Sequence, residues 1–281
     1  MKGIAKTEIT KVQGQSHSSA ADYVVVEEPL EIRLGFAKNG VRHQKPIAVT
    51  MRTPGQDEEL ALGFLFTEGV ISGVEQVKGF SRPAVRWKEA RENVLLVELA
   101  DGVAVDWGRL ERNFYTSSSC GVCGKASIEA VRVQGRWELP EPAPLLQAEV
   151  LHTLPTLLAK QQSIFDCTGG LHGAALFDAN GQLLLSKEDV GRHNALDKLI
   201  GSVMMGQELL PLSQHLVLVS GRAGFELVQK SALAGVAVLA AVGAPTSLSV
   251  ELAEETGMTL VGFLRNGQFN IYTCPERVIF K

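Results

Sequence analysis

Long apolar runs are missing from this chain. The longest, ALAGVAVLAAVGAP from Ala232 to Pro245, falls short of the roughly 18–20 residues of a membrane span and reads as a buried strand with its flanks. The opening residues, MKGIAKTEITKVQGQSHSS, are polar. No export signal is expected there, and the expected location is cytoplasmic, where thiols stay reduced. An excess of charge is missing too. The 27 Lys and Arg face 31 Asp and Glu, a net −4, which argues against a broad electrostatic grip on nucleic acid. Neither a membrane nor a nucleic acid is an expected partner.

Cysteine is scarce, with four in 281 residues. A disulfide framework is not expected in a reducing compartment. Cys167 and Cys274 stand alone in apolar settings, which favours buried, inert thiols for both. Ready-made motifs are absent as well. The chain has no G-x-G-x-x-G, no Walker A sequence, and no H-x-x-H or H-x-x-x-H pair. Standard dinucleotide and P-loop sites are therefore disfavoured, and no metal site is expected.

What is present is a globular composition, 45% apolar and 21% charged, with two rhythms along it. Residues 1–20 read as a loosely ordered N-terminus. From Tyr23 to Phe36 and from Lys45 to Pro54 the chain alternates and is β-branched, which indicates strands. DEELALGFLFTEGVI, Asp57 to Ile71, is helical; its three leading acids favour a helix start, and its apolar face serves the core or a dimer. Asn93 to Asp106 reads as two strands around an Asp-Gly turn. Residues 21–140 thus form a smaller, strand-rich α+β domain. Three prolines, Pro140, Pro142 and Pro144, mark its end near 136–145.

Residues 141–281 alternate β and α in short steps, the pattern of a layered α/β sheet. A helix around Leu146–Gln161 carries Pro155 and precedes the hairpin HGAALFDANGQLLLSKE. A helix over about Gly191–Ser202 follows. Then come the strand HLVLVSGR, the helix FELVQKSALAG, the strand VAVLAAVGAP, the helix SLSVELAEETG and a closing hairpin, TLVGFLRNGQFNIYT.

Two strand ends invite a ligand. One runs into Ser220-Gly221-Arg222, the other into Gly243, Pro245 and Thr246, and each opens a helix. Helix N-termini offer free N–H groups, and ligands of open α/β sheets sit outside the carboxyl ends of strands. A pocket for a phosphorylated or otherwise anionic ligand follows. Ordinary turns, with Ser220 and Thr246 or Ser247 as caps, are the competing explanation. Two polar clusters add weight. CTGGLHGAALFD places Thr168, Gly169, Gly170 and His172 in a turn entering a strand. KEDVGRHNALDKL crowds Glu188, Asp189, Arg192, His193, Asn194 and Asp197 around a helix start, where Asp189 could be a cap and Arg192 its ion-pair partner.

TSSSCGVCGK, Thr116 to Lys125, holds Cys120 and Cys123 in a loop spanning about 114–126. Half a zinc site would need two more soft ligands, and no second C-x-x-C exists. A redox dithiol normally opens a helix within a βαβ frame, and a Ser/Gly loop between two domains is a poor match to that without excluding it. A sulfur-handling nucleophile fits a mobile Ser/Gly loop with Lys125 close by to favour the thiolate.

Taken together, MRTPGQDEELALGFLFTEGVI, SSSCGVCGK, FDCTGGLHGAALFD, EDVGRHNALDKLIG, SGRAGFELVQK and TGMTLVGFLRNGQFNIYT resemble the FdhD family, accessory sulfurtransferases needed for active formate dehydrogenase. The resemblance implies an enzyme, a sulfurtransferase that takes persulfide sulfur from a cysteine desulfurase. It passes the sulfur to the molybdenum or tungsten of a bis(molybdopterin guanine dinucleotide) cofactor, bound as substrate. Cys120 matches the persulfide carrier and Cys123 its companion. The family's cofactor-binding stretch falls on Phe263, Leu264, Arg265, Asn266, Gly267 and Gln268. Arg192, His193, His172 and Arg222 join it from the residue-level argument, as groups for guanine dinucleotide phosphates. The resemblance also implies a homodimer and, for residues 141–281, a cytidine-deaminase-like α/β fold. The deaminase zinc signature is absent from that half, so deamination is not expected. A thiol–disulfide oxidoreductase and a non-catalytic cofactor chaperone are the alternatives.

Overall fold

The computed structural model describes residues 3–84, 88–107, 144–206 and 210–280. Cys120, Cys123 and the whole loop around them lie outside these residues, as does most of the expected boundary at 136–145.

The chain opens with β1 (Ile4–Gln13) and β2 (Ser16–Val25), paired antiparallel from Ile4↔Val25 to Gln13↔Ser16. A loosely ordered start is thus replaced by a hairpin. Hardly any of its side chains is buried, so no apolar alternation announces it in the sequence. The stretch Tyr23–Phe36, which reads as one strand, breaks at Val26–Glu27, where the chain leaves this hairpin for another sheet.

That second sheet is built from β3 (Glu28–Lys38), β4 (Val41–Arg52), β5 (Val77–Ser81) and β6 (Val94–Leu99), in the order β4-β3-β6-β5. Helix α1 (Asp57–Thr67) joins β4 to the rest and begins with the expected run of acids. Only the first of the two strands expected over 93–106 forms. Past the turn at Gly102, Val103 and Val105 pack on the core as irregular chain.

The second part runs β7 (Leu146–Gln147), α2 (Ala148–Ala159), α3 (Ser163–Thr168), β8 (His172–Phe177), β9 (Leu183–Asp189) and α4 (Arg192–Met205). It continues with β10 (Leu216–Val219), α5 (Phe225–Leu233), β11 (Val238–Ala241), α6 (Ser247–Glu255), β12 (Thr259–Arg265), β13 (Gln268–Thr273) and β14 (Val278–Ile279). Six of these strands form one sheet, ordered β13-β12-β11-β10-β8-β9. β10, β11 and β12 are parallel; β8 and β13 flank them antiparallel.

Side-chain alternation splits the apolar interior across this sheet. Ala175, Phe177, Leu216, Leu218, Val238, Ala240 and Val261 face α2 through Leu151, Leu154 and Leu158. Their neighbours Ala174, Leu176, Val217, Val219, Leu239, Ala241 and Leu260 face α4 and α5. Both faces are covered, which is why these strands read as near-continuous apolar runs. The second cluster also takes in Leu30, Ile32 and Leu34 of β3 and Leu60, Leu62 and Phe66 of α1. The strand-rich part and the α/β part therefore share a core, and the apolar face of α1 is spent on it. At the crossing of α1 and α4 the helices touch backbone to backbone. A Cβ on Gly63 would strike the Asp197 carbonyl, and one on Gly201 the Glu59 carbonyl.

Candidate functional site

The parallel strands β10, β11 and β12 end on one side of the sheet, and antiparallel β8 begins there. Beyond the strands the turns keep pairing. Ser220 N–H donates to Gly173 O (2.9 Å), Gly243 N–H to Gly221 O (2.9 Å), and Phe263 N–H to Gly243 O (3.0 Å). The result is a floor of main chain with small residues on it. Gly243 has no alternative there, because a Cβ would lie 2.9 Å from Gly221 O and 3.0 Å from the Arg222 backbone. Ser220 is not a helix cap as expected; its Oγ accepts the Gly173 N–H at 2.9 Å and ties β8 to this floor. Thr246 is a cap, with Ser249 completing a capping box over α6.

His172, the first residue of β8, stands over the Gly221 turn, whose missing Cβ would lie 3.3 Å from its Nδ1. Burial holds this imidazole below the usual histidine range, and the charges of Arg192 and His193 add to the effect against Asp189. His172 is therefore neutral at pH 7.

Helix α4 starts at the same edge. Its cap residue, Gly191, has no side chain to satisfy the first N–H groups, which leaves the positive helix end open. An ion pair of Arg192 with Asp189, the alternative to a ligand role, does not form among the described residues. Instead Asp189 pairs with Lys198 (2.7 Å) and accepts from Thr53 N–H (3.1 Å), Gly191 N–H (2.8 Å) and Asn194 Nδ2 (3.1 Å). Its capacity is used up. Arg192 Nε is buried and has no hydrogen-bond partner among the described residues.

The rest of that crowded cluster sorts by partner. Asn194 fastens α4 to β4, donating to Met51 O (2.7 Å) and accepting from Thr50 Oγ1 (3.1 Å). Glu188 accepts the first N–H groups of α3, from Ile164 (3.4 Å) and Phe165 (3.1 Å). Burial raises its pKa against those bonds. Asp197 is fully buried against Lys230 (2.9 Å) and Thr67 Oγ1 (2.8 Å). These residues hold the fold. His193 belongs to the edge, with its Nε2 lying 2.8 Å from Glu226 Oε2 at the start of α5. Sequence reasoning missed Glu226. Its one signal was an acid in the first turn of a helix that follows a strand and a glycine-rich turn.

Arg222 is exposed in the turn after β10, on the same floor. The stretch from Phe263 to Gln268 divides. Phe263 adopts a left-handed φ of 54° at a bulge between Gly262 and Arg265. Arg265 is exposed and sits 5.9 Å from the Phe263 ring. Asn266 and Gly267, with φ of 52° and 71°, make the turn. Leu264 points into the apolar interior on the α2 side, leaving only its main chain for a ligand. Gln268 turns away into a shallow groove of about 610 Å³ with Ala148, His152, Phe269, Asn270, Ile271 and Phe280.

The two remaining cysteines contradict expectation. Cys167 is exposed near the end of the short helix α3, and Cys274 is half-buried at a left-handed φ of 48° where β13 ends. Neither is packed in the apolar core. Among the described residues, no three His, Cys, Asp or Glu side chains converge to hold a metal, and no helix is long and apolar enough to cross a membrane. The edge as built suits an anion, with an open helix end, a partnerless guanidinium nitrogen, two imidazoles, an exposed arginine and glycine turns.

The chain is similar along nearly its whole length to known proteins. The model of the FdhD/NarQ family matches residues 25–279. A "Sulfur carrier protein FdhD" of Streptomyces coelicolor is 48% identical over 279 residues, covering 98% of this chain and 96% of the relative. Proteins of the same name are similar in Mycobacterium tuberculosis (47% over 260 residues, 91% of each chain) and Sulfolobus acidocaldarius (41% over 275 residues, 98% of each). A crystal structure of a formate dehydrogenase accessory protein from Desulfotalea psychrophila shares the fold. Its TM-score is 0.74 at 24% identity, over 98% of this chain and 99% of that one.

Proposed function

Because the chain belongs to the FdhD/NarQ family, we propose that it is a sulfur carrier in the maturation of formate dehydrogenase. Cys120 would carry the sulfur as a persulfide. The donor is a cysteine desulfurase and the acceptor the metal of a bis(molybdopterin guanine dinucleotide) cofactor, held as cargo. The chemistry needs two thiols. The Cys120 thiolate attacks the terminal sulfur of the donor persulfide; the donor S–S bond breaks, and the donor cysteine leaves as a thiolate. No electrons are exchanged overall. Release of the sulfur as sulfide requires two electrons, and Cys123 supplies them. Its thiolate attacks Cys120 Sγ, a Cys120–Cys123 disulfide forms, and hydrosulfide leaves for the metal. A cellular thiol must then reopen the disulfide.

The observation that carries the reading is the carboxyl-edge floor with Arg192 Nε left over beside the uncapped α4. A buried donor without a partner is costly, and an anionic ligand would satisfy it. The phosphates of the dinucleotide fit there, with Arg222 and Arg265 at the rim and His172 and His193 beside them. The hairpin β8–β9 followed by three parallel strands supports a deaminase-like layering for this half.

The test is complementation of a strain lacking this protein, with formate dehydrogenase activity as readout. Cys120→Ala is expected to abolish activation and to lose the mass gain of one sulfur atom on incubation with a desulfurase and cysteine. Full activation by a variant lacking both cysteines would reduce the protein to a cofactor chaperone and defeat the proposal.

A further inference from the structure

Three basic groups meet at the cleft edge, namely His172, Arg192 and His193, and the two acids beside them behave differently. Asp189 is engaged by Lys198 and three further donors. Among the described residues Glu226 pairs with His193, through Oε2 at 2.8 Å, and its Oε1 is buried without a hydrogen-bond partner. Both side chains of this pair are largely covered, at 16% and 14% exposure. His193 Nδ1 is given no partner by any residue described. Glu226 also lies in the first turn of α5, where its charge offsets that helix's positive end. No acid lies in the first turn of α4. The Asp189 carboxylate beside the α4 cap is paired with Lys198, whereas Glu226 at the start of α5 meets His193.

We propose that Glu226 is a positioning residue of the cleft, acting through His193. Its carboxylate accepts the Nε2 proton, fixes the ring plane and turns Nδ1 toward the ligand. A phosphate at Nδ1 and a carboxylate at Nε2 then hold the ring from both sides. The other charged groups in reach are His172 from β8, Asp189 from β9, Arg192 from α4 and Lys230 from α5, which feels the Glu226 charge. This assignment rests on the anionic-ligand reading of the cleft given above.

The test uses the whole protein, guanosine diphosphate as probe, and nitrogen NMR of the His193 ring. Glu226→Ala is expected to weaken guanosine diphosphate binding about tenfold, the loss of one charge-assisted contact. Glu226→Gln, which keeps an acceptor but no charge, should fall between wild type and Glu226→Ala with an unchanged melting temperature. His193→Ala should weaken binding to the same extent, and the double variant no further, because both act through one contact. Wild-type affinity in Glu226→Ala, or losses that multiply in the double variant, would overturn the proposal. Should the wild-type protein fail to bind guanosine diphosphate, the nucleotide reading falls and the ring signals decide the remainder. A tautomer shift in Glu226→Ala upholds the positioning role, and identical signals end it.

Discussion

The seam between the strand-rich part and the α/β part, and the cleft at the ends of β10, β11 and β12, both keep charged side chains away from water. At the seam each charge is matched. Lys230 Nζ lies 2.9 Å from Asp197 and 2.8 Å from Thr67 Oγ1. Lys198 meets Asp189 at 2.7 Å and Thr53 O at 3.1 Å. Arg52 holds Asp57 with two nitrogens, at 2.9 and 3.2 Å. At the cleft Arg192 Nε and Glu226 Oε1 have no hydrogen-bond partner among the described residues. Burial exacts a free-energy cost from any unpaired polar group. Ionic groups that close on one another therefore serve the fold, and the open Arg192 Nε is the atom for which the proposal supplies an anionic partner.

The sharpest way to break this contrast is to open a closed pair. Burial would lower the Lys230 pKa, but Asp197, Glu68 and Glu226 outweigh it and hold the ammonium charged. Asp197→Ala removes its nearest carboxylate and leaves that buried charge with Thr67 Oγ1 at 2.8 Å and the longer 3.6 Å contact to Glu68. The expected cost is about 3–5 kcal/mol in denaturant unfolding. A loss below about 1 kcal/mol would mean that water or rearrangement reaches the seam, and the distinction between the two regions would collapse.

The sequence does not separate these roles. In KEDVGRHNALDKL, Asp197 and Arg192 look alike as polar residues near a helix start. Their difference lies in partners far along the chain, Lys230 at 33 residues and Thr67 at 130 residues from Asp197. Glu226 escaped notice for the same reason, since its partner comes from another helix. What sequence does display is periodicity, so the strands with both faces covered and the acid-led start of α1 were legible. The N-terminal hairpin was not, because its exposed residues carry no apolar period. The turns Ser220–Arg222 and Gly243–Thr246 were legible as a candidate anion site because glycine after an apolar strand has a backbone reason. Cys120 and Cys123 stand out in the sequence as a closely spaced thiol pair, and they lie outside the described residues.

A second test sharpens the contrast through pH. Burial pushes the Asp57 carboxyl up, but hydrogen bonds and charges from Arg52 and Arg82 outweigh it, and its pKa lies below the usual aspartate value. An unfolded aspartate titrates near ~3.9. The stability contributed by the depressed group is complete above that value and is lost as pH falls through the folded-state pKa. Wild type should exceed Asp57→Asn by about 2 kcal/mol at neutral pH, with the gap closing below about pH 4. A gap that stays constant with pH would show that Asp57 acts by shape and not by charge.

The smallest expected effect on stability falls on the open side. Arg192→Met keeps an unbranched stem out to about the position of Nε and removes a buried donor that has no partner among the described residues. Stability should stay within about 0.5 kcal/mol of wild type or rise. Binding should not be spared, and guanosine diphosphate affinity is expected to drop about tenfold. The same variant removes one of the charges that depress His172. Its pKa should climb toward the ordinary histidine range, yet stay below it because burial, the larger cause, remains. Proton NMR of the imidazole reads that shift directly. A protein destabilised by several kcal/mol would place Arg192 among the closed pairs of the seam and remove the unpaired donor on which the proposed anion site rests.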